Sequence, residues 1–294
     1  IADRIIVLNE GRIKKDYSVK EFLTLSDEER RNMGLRTTDL RKELPLVTAG
    51  KEQETRLELK NVSLFYKKKA VLENINEKFS RGEVIALVGK NGAGKTTFSR
   101  ALCGLHKEIK GDFLRDGRII SKKTRQKISY MVMQDVNYEL FAESVEAECT
   151  FGIKNPDANL VAETMDALGL TPFSEQHPGT LSGGQKQRLA VAVGQVCKKE
   201  LIVFDEPTSG LDYESMERVA KIVRKLSEQG KILFIVTHDY EFFCRTCSRI
   251  LVFSDGEIHC DLQCRAENKE EIRQLFCSAA GEKQSGNKEG DCFA

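Results

Sequence analysis

The chain has 294 residues, with 46 basic against 45 acidic side chains and a formal net charge of +1. That balance excludes bulk electrostatic attraction to nucleic acid or to an acidic membrane. The longest apolar runs, such as "ILFIV" at residues 232–236, are far too short to span a bilayer, and nine cysteines without a pairing pattern suggest a reducing compartment.

The opening stretch, "IADRIIVLNEGRI" at residues 1–13, reads as strand, Gly turn, strand. Closely similar wording recurs at residues 247–258, "CSRILVFSDGEI": Arg4, Ile5, Val7, Gly11 and Ile13 are matched by Arg249, Ile250, Val252, Gly256 and Ile258. This has the form of an internal repeat with one copy cut short; the alternative is an unrelated hairpin. Residues 14–50 are mixed and charged, and "SDEER" at 26–30 reads as a helix start, a Ser cap followed by acids. The polar, Pro- and Gly-containing stretch at 44–55 reads as a linker.

From residue 56 the texture changes. "RLELKNVSLFY" alternates apolar and polar side chains, as a half-buried strand does. Beyond it, short apolar runs at 84–88, 201–204, 233–236 and 250–253 are separated by long amphipathic stretches. This pattern predicts an α/β fold with a mainly parallel sheet covered on both faces. Residues 279–294 are polar and Gly-rich and read as a disordered tail.

Three stretches carry chemistry. In "VIALVGKNGAGKTT" an apolar strand runs into Gly89, Lys90, Asn91, Gly92, Ala93, Gly94, Lys95 and Thr96, with Thr97 following as a helix begins. This is the G-x-x-x-x-G-K-[ST] phosphate loop. Glycines let successive backbone N–H groups face one anion, and the helix start adds partial positive charge. The lysine reaches the terminal phosphates and the Thr96 hydroxyl suits Mg²⁺. In "LIVFDEPTSGLD", Asp205 at a strand end can hold Mg²⁺ and Glu206 can orient or deprotonate an attacking water; a helix N-cap is the plainer alternative. The third stretch is "LSGGQKQR" at 181–188.

Together with "VTHD" at 236–239, these motifs resemble the ATP-binding-cassette (ABC) ATPases over roughly residues 56–262. The resemblance implies a P-loop NTPase fold with a mainly parallel core sheet, an antiparallel β subdomain and a helical subdomain bearing the signature. It implies ATP and Mg²⁺ as ligands. Tyr66 matches the aromatic that stacks on adenine, and Gln134 the glutamine that touches Mg²⁺ and the attacking water. Asp205 and Glu206 match the metal-binding and catalytic acids, Asp212 the acid after the following turn, and His238 the switch histidine. Ser182, Gly183, Gly184 and Gln185 match the signature segment, which in this family closes in trans over the ATP of a second cassette. One cassette alone is thus expected to bind ATP but to hydrolyse it poorly.

The segment after Gln134 resembles the energy-coupling-factor branch, the vitamin- and metal-uptake importers: Leu140-Phe141, Ser144-Val145-Glu146 and Phe151-Gly152 fit, while Asp135-Val136 departs from that branch's usual Asn-Pro. Gly194-Gln195 likewise stands where Ala pairs are usual. The branch implies a transmembrane coupling subunit and a substrate-binding membrane subunit as partners, at the cytoplasmic face of the cell membrane. "PTSGLD" rather than "PTNHLD", the lack of a long insertion before the signature and the lack of a basic run argue against a ribosome- or DNA-acting member, so no nucleic-acid partner is expected.

Since the last strands of such a cassette follow the switch histidine, residues 1–13 resemble the end of a preceding cassette. The expected organisation is a remnant at 1–25, a linker at 26–55, an ATP-binding domain at 56–264, and a C-terminal helix with a disordered tail at 265–294. Cys244, Cys247, Cys260 and Cys264 loosely suggest a zinc site. However, Cys244 and Cys247 stand one helical turn apart, and Cys247 occupies the slot of Ala2 in the repeat, which favours ordinary buried thiols.

Overall fold

The computed structural model describes residues 3–9, 11–45 and 54–279. Two strands, β1 (Arg4–Asn9) and β2 (Arg12–Ser18), form an antiparallel hairpin, followed by α1 (Val19–Thr24) and α2 (Asp27–Asn32). Both short helices start in capping boxes: Ser18 with Glu21 and Ser26 with Glu29 each satisfy two otherwise free backbone donors. The Ser26 start is the one the sequence predicts.

The chain then builds β3 (Thr55–Tyr66), β4 (Lys69–Ser80), β5 (Val84–Gly89), α3 (Lys95–Leu102), β6 (Ile109–Arg115), β7 (Arg118–Ile119), α4 (Lys122–Ile128) and β8 (Ser129–Val132). Next come α5 (Val145–Thr150), α6 (Ala158–Ala167), α7 (Gly183–Val196), β9 (Leu201–Asp205), α8 (Tyr213–Glu228), β10 (Ile232–Val236) and α9 (Tyr240–Thr246). β11 (Arg249–Ser254), β12 (Glu257–Gln263) and α10 (Lys269–Ala279) complete it.

A six-stranded sheet runs β12-β11-β5-β10-β9-β8, parallel except for the β11–β12 hairpin, and a separate antiparallel sheet runs β4-β3-β6-β7. The α/β architecture expected from the sequence is the one observed. The all-apolar strands are explained by their two faces. On β5, Val84, Ala86 and Val88 join a core under the helices, while Ile85 and Leu87 join a second core under the antiparallel sheet. On β10, Leu233 and Ile235 face the first core and Ile232, Phe234 and Val236 the second. A side-chain period of two with both faces buried leaves no polar position along the strand. Phe234 packs edge-on against Phe79, with ring centroids 4.8 Å apart, which ties the two sheets together.

Gly194 lies in the buried part of α7, where a Cβ would meet the Phe204 ring at 3.4 and 3.6 Å, ordinary contact distance. Gly194→Ala is therefore expected to stabilise the fold by about 0.5–1 kcal/mol, since it removes backbone entropy without a clash. A raised midpoint in denaturant unfolding would show this; a lowered midpoint would mean that the contact cannot be accommodated.

The N-terminal hairpin reproduces β11–β12 residue for residue. Arg4↔Ser18, Ile5↔Tyr17 and Leu8↔Ile13 stand as Arg249↔Gln263, Ile250↔Leu262 and Phe253↔Ile258, and the register shifts at Val7/Leu8 as it does at Val252/Phe253. Both turns use a glycine at positive φ, Gly11 at 71° and Gly256 at 85°. Both arginines pair with the same acid across the hairpin, Arg4 Nε with Asp16 Oδ1 and Arg249 Nε with Asp261 Oδ1, each at 2.7 Å. What differs is the flank. β11 lies against β5, so Leu251 and Phe253 are buried, whereas their counterparts Ile6 and Leu8 are 46% and 69% exposed.

Residues 27–45 run over the helix-covered side of the six-stranded sheet. Leu40 joins the helix-side core, and the Gly34 carbonyl accepts the Tyr213 N–H at 2.9 Å. Of the expected linker at 44–55, residues 46–53 lie outside the described residues, as do residues 280–294 of the expected tail. Cys244, Cys247 and Cys264 are buried, and burial pushes their thiols up, that of Cys264 to about 12. Among the described residues no group of three or more His, Cys, Asp or Glu side chains is placed to hold a metal ion, and no helix is long and apolar enough to cross a membrane.

Candidate nucleotide site

Four neighbouring parallel strands, β5, β10, β9 and β8, end at the same edge of the sheet, and the predicted chemical groups follow their C-terminal ends. That edge is where open α/β sheets bind ligands. After β5 the loop at residues 89–94 curls into α3, with Gly94 at the helix start at φ 99°. The glycines are dictated by packing. A Cβ on Gly89, at φ +153°, would stand 2.5 Å from the backbone oxygen of Phe253, and one on Gly94 would stand 2.9 Å from Leu72 Cγ. Gly89→Ala is expected to cost about 2–3 kcal/mol, because a backbone carbonyl cannot step aside as a flexible side chain can. Thermal unfolding several degrees below the wild type would show this; an unchanged melting temperature would refute the tight packing.

Lys95 is nearly buried, and its Nζ donates to the carbonyls of Gly89 and, at 3.1 Å, Lys90. The ammonium thus spans the loop from below. Burial lowers its pKa from the usual lysine value, opposed by Glu206 and Asp205.

These elements enclose a cavity of about 360 Å³. Asn91, Gly92, Gly94, Lys95, Thr96 and Thr97 line it from the loop and α3, and Gln134 from beyond β8. Asp205, Glu206 and Ser209 enter from the end of β9, Val236 and His238 from the end of β10, and Val71 from β4. Gly89, Lys90 and Ala93 shape the loop without lining the cavity.

Asp205 ends β9 and is buried, and burial raises its carboxyl against the pull of Lys95 and Arg100. Glu206 adopts φ +52°, a conformation that non-glycine residues rarely hold. Its neighbours fix it there: its N–H donates to the Val236 carbonyl at 2.9 Å, and its carbonyl accepts Gln187 Nε2 at 3.2 Å. Burial, reinforced by Asp205 and opposed by the His238 amide, lifts the Glu206 carboxyl to about 7. His238 Nε2 lies 3.6 Å from Glu206 Oε1. Burial and Lys95 push the imidazole below its ordinary value, so near neutral pH it faces Glu206 as a neutral polar group rather than a cation.

The other predicted residues lie elsewhere. Tyr66, at the end of β3, is 63% exposed and outside the cavity. Ser182, Gly183, Gly184 and Gln185 open α7, with Ser182 and Gln185 closing a capping box. Asp212 caps α8, accepting the Ser215 N–H at 2.7 Å. These five residues do not line the cavity, but a Cβ on Gly184 would stand 3.2 Å from Leu211, so the start of α7 touches the turn before Asp212. The predicted constellation therefore divides into residues that line the cavity and residues that lie outside it. Sequence reasoning missed Val71, Ser209, Val236 and Gln187. Gln187 carried a signal: helical spacing from the Ser182 start places it on the buried side.

The donor set fits magnesium. The Thr96 hydroxyl, Gln134 amide and Asp205 carboxylate share the cavity. Few carboxylates with hard oxygen donors suit an ion that shares its coordination with phosphate and water.

Comparison with known proteins bears on this geometry. The family profile described as "ABC transporter" matches residues 72–209. A Treponema denticola protein described as an ABC transporter ATP-binding protein is 40% identical over 280 residues, covering 93% of this chain and 57% of that protein. The energy-coupling factor transporter ATP-binding protein EcfA of Methanothermobacter thermautotrophicus is 35% identical over 215 residues, covering 69% of each. The solved structure of cbiO1 from Clostridium perfringens, described as part of the ABC transporter complex cbiONQ, superposes with a TM-score of 0.65 at 25% identity, covering 76% of this chain and 94% of that one. The chain spans about half the length of the first curated relatives it matches.

Proposed function

The chain belongs to the ABC transporter family as an ATP-binding domain, and from that premise we propose that it binds and hydrolyses ATP to energise a membrane importer. The single observation that carries this is the convergence of Lys95, Thr96, Gln134, Asp205, Glu206 and His238 on one cavity at the strand ends.

The loop amides and the start of α3 receive the phosphates, and Lys95 leaves its carbonyl partners for the terminal ones. Thr96, Gln134 and Asp205 would hold a magnesium ion, which when bound neutralises phosphate charge. Glu206 accepts the proton of the attacking water, and its raised carboxyl is well matched to that task near neutral pH. His238, beside Glu206, supplies a neutral hydrogen-bonding group toward the terminal phosphate. Tyr66 offers an exposed ring for adenine.

In this reading the start of α7, with Ser182, Gly183, Gly184 and Gln185, and neighbouring Asp212 meet the nucleotide of a second cassette. Turnover should then require pairing, while binding should not. We further propose that this second cassette precedes the hairpin in a tandem chain. The support is the hairpin's identity with β11–β12 in register, bulge, turn and ion pair, with the apolar side chains that β5 would cover left exposed. Residues 1–25 then belong to that preceding cassette, 26–55 connect, 56–264 form the ATP-binding domain, and 265–294 append a helix and tail.

The likeness to EcfA and cbiO1 supports the energy-coupling-factor branch, as do Leu140-Phe141 and Phe151-Gly152. A transmembrane coupling subunit and a substrate-binding membrane subunit are the partners of that branch, placing the chain peripherally on the cytoplasmic face of the membrane. The test is magnesium-dependent ATP hydrolysis across a range of chain concentrations, with Glu206→Gln as the paired variant.

A further inference from the structure

Residues 31–43 form a strap over the starts of α8 and α9, the two helices that follow the turns carrying Glu206 and His238. The strap is anchored at several points. The Gly34 carbonyl takes the Tyr213 N–H, one of the donors a helix start leaves free. The Arg31 guanidinium lies over the Tyr213 ring, 5.2 Å from its centroid, with Arg245 over the same ring at 5.5 Å. Thr37 and Leu40 are buried.

Arg36 occupies the central position. Its Nη2 donates to Asp239 Oδ2, and its Nε lies 3.4 Å from Glu241 Oε2. Asp239 directly follows His238. Its Oδ1 accepts the Phe242 N–H at 2.9 Å, and its Oδ2 also accepts the Thr208 hydroxyl at 2.8 Å. Thr208 lies two residues after Glu206. One carboxylate oxygen thus joins the turn of Glu206 to the turn of His238, and Arg36 is the cation that holds it. Glu241 is only 3% exposed and also meets Arg245 at 3.0 Å. Buried acids in such a cluster are costly once a partner is removed.

Resting on the ATP-hydrolase reading above, we propose that Arg36 is a positioning residue for turnover: through Asp239 it fixes His238 relative to Glu206, and it ties the segment leading from the N-terminal hairpin to the hydrolytic turns. Arg36 lies outside the cavity and touches no phosphate-binding group, so nucleotide affinity does not depend on it.

The test compares wild type, Arg36→Ala, Arg36→Lys and Glu206→Gln as full chains at one concentration, measuring steady-state ATP hydrolysis and equilibrium binding of a fluorescent ATP analogue. Arg36→Ala lowers kcat about tenfold, the size expected for a lost charge-assisted hydrogen bond felt in the transition state. Its Kd for the analogue stays within about twofold of wild type, which also shows that the phosphate loop is folded. Arg36→Lys retains the charge opposite Asp239 and returns kcat to within about threefold of wild type. The proposal is overturned if Arg36→Ala turns over like wild type, if affinity falls as much as kcat, or if Lys is no better than Ala. Wild-type turnover that Glu206→Gln leaves unchanged would instead overturn the hydrolase reading, and the role of Arg36 with it.

Discussion

Glu206→Gln is expected to lower ATP turnover by about 10²–10⁴-fold, the usual contribution of a positioned general base, while binding of magnesium and ATP stays within about twofold. The replacement keeps the shape of the side chain and leaves intact the backbone contacts to Val236 and Gln187 that hold the φ +52° conformation. Only the capacity to accept a proton is removed. The carboxyl sits at about 7, so in the wild type kcat/KM should rise with pH through that value as the base form appears. Stability carries the opposite sign. A carboxyl whose pKa is raised on folding disfavours the folded state once ionised, and that cost grows from its unfolded value up through about pH 7. The Gln variant should therefore melt above the wild type at pH 8 and show no such advantage near pH 4. Full turnover by the variant, or a flat pH profile in the wild type, would remove Glu206 from the proposed role.

Lys95→Ala should weaken nucleotide affinity by about 100-fold, the scale of losing a charged hydrogen-bond partner of a phosphate in a partly buried site. The ammonium bridges the carbonyls of Gly89 and Lys90 within the loop. Removing it takes that donor from the two carbonyls and the cation from the bound phosphates. The variant should remain folded, because Lys95 has no part in either hydrophobic core. Isothermal titration with ATP and magnesium measures the effect; affinity equal to the wild type would separate the loop from phosphate binding.

Much of the fold could be read from the sequence because its strongest constraints are local. The runs at 84–88 and 233–236 are apolar at every position since each strand is covered on both faces. The phosphate loop is legible because Gly89 and Gly94 meet demands that other residues cannot, a close backbone approach in one case and a positive φ in both. The repeat was legible in five matched residues, but its depth was not: the shared bulge and the Arg4–Asp16 and Arg249–Asp261 pairs depend on cross-strand register, which one strand's sequence does not specify.

The strap was the least legible part. Residues 31–43 are charged and lack periodicity, so composition alone suggests an exposed tether. Their positions are set by partners some two hundred residues away in sequence, as with Arg36 and Asp239. The division of the predicted site into residues lining the cavity and residues outside it was also beyond sequence reach, because motif order does not say which strand ends are neighbours.

The most direct measurement is equilibrium titration of the purified chain with a fluorescent ATP analogue, with and without magnesium, beside Lys95→Ala. Saturable binding of one analogue per chain, strengthened by magnesium and largely lost in the variant, is the expected result. No saturable binding, or binding indifferent to both magnesium and Lys95, would contradict the assignment of the cavity at the strand ends as a nucleotide site.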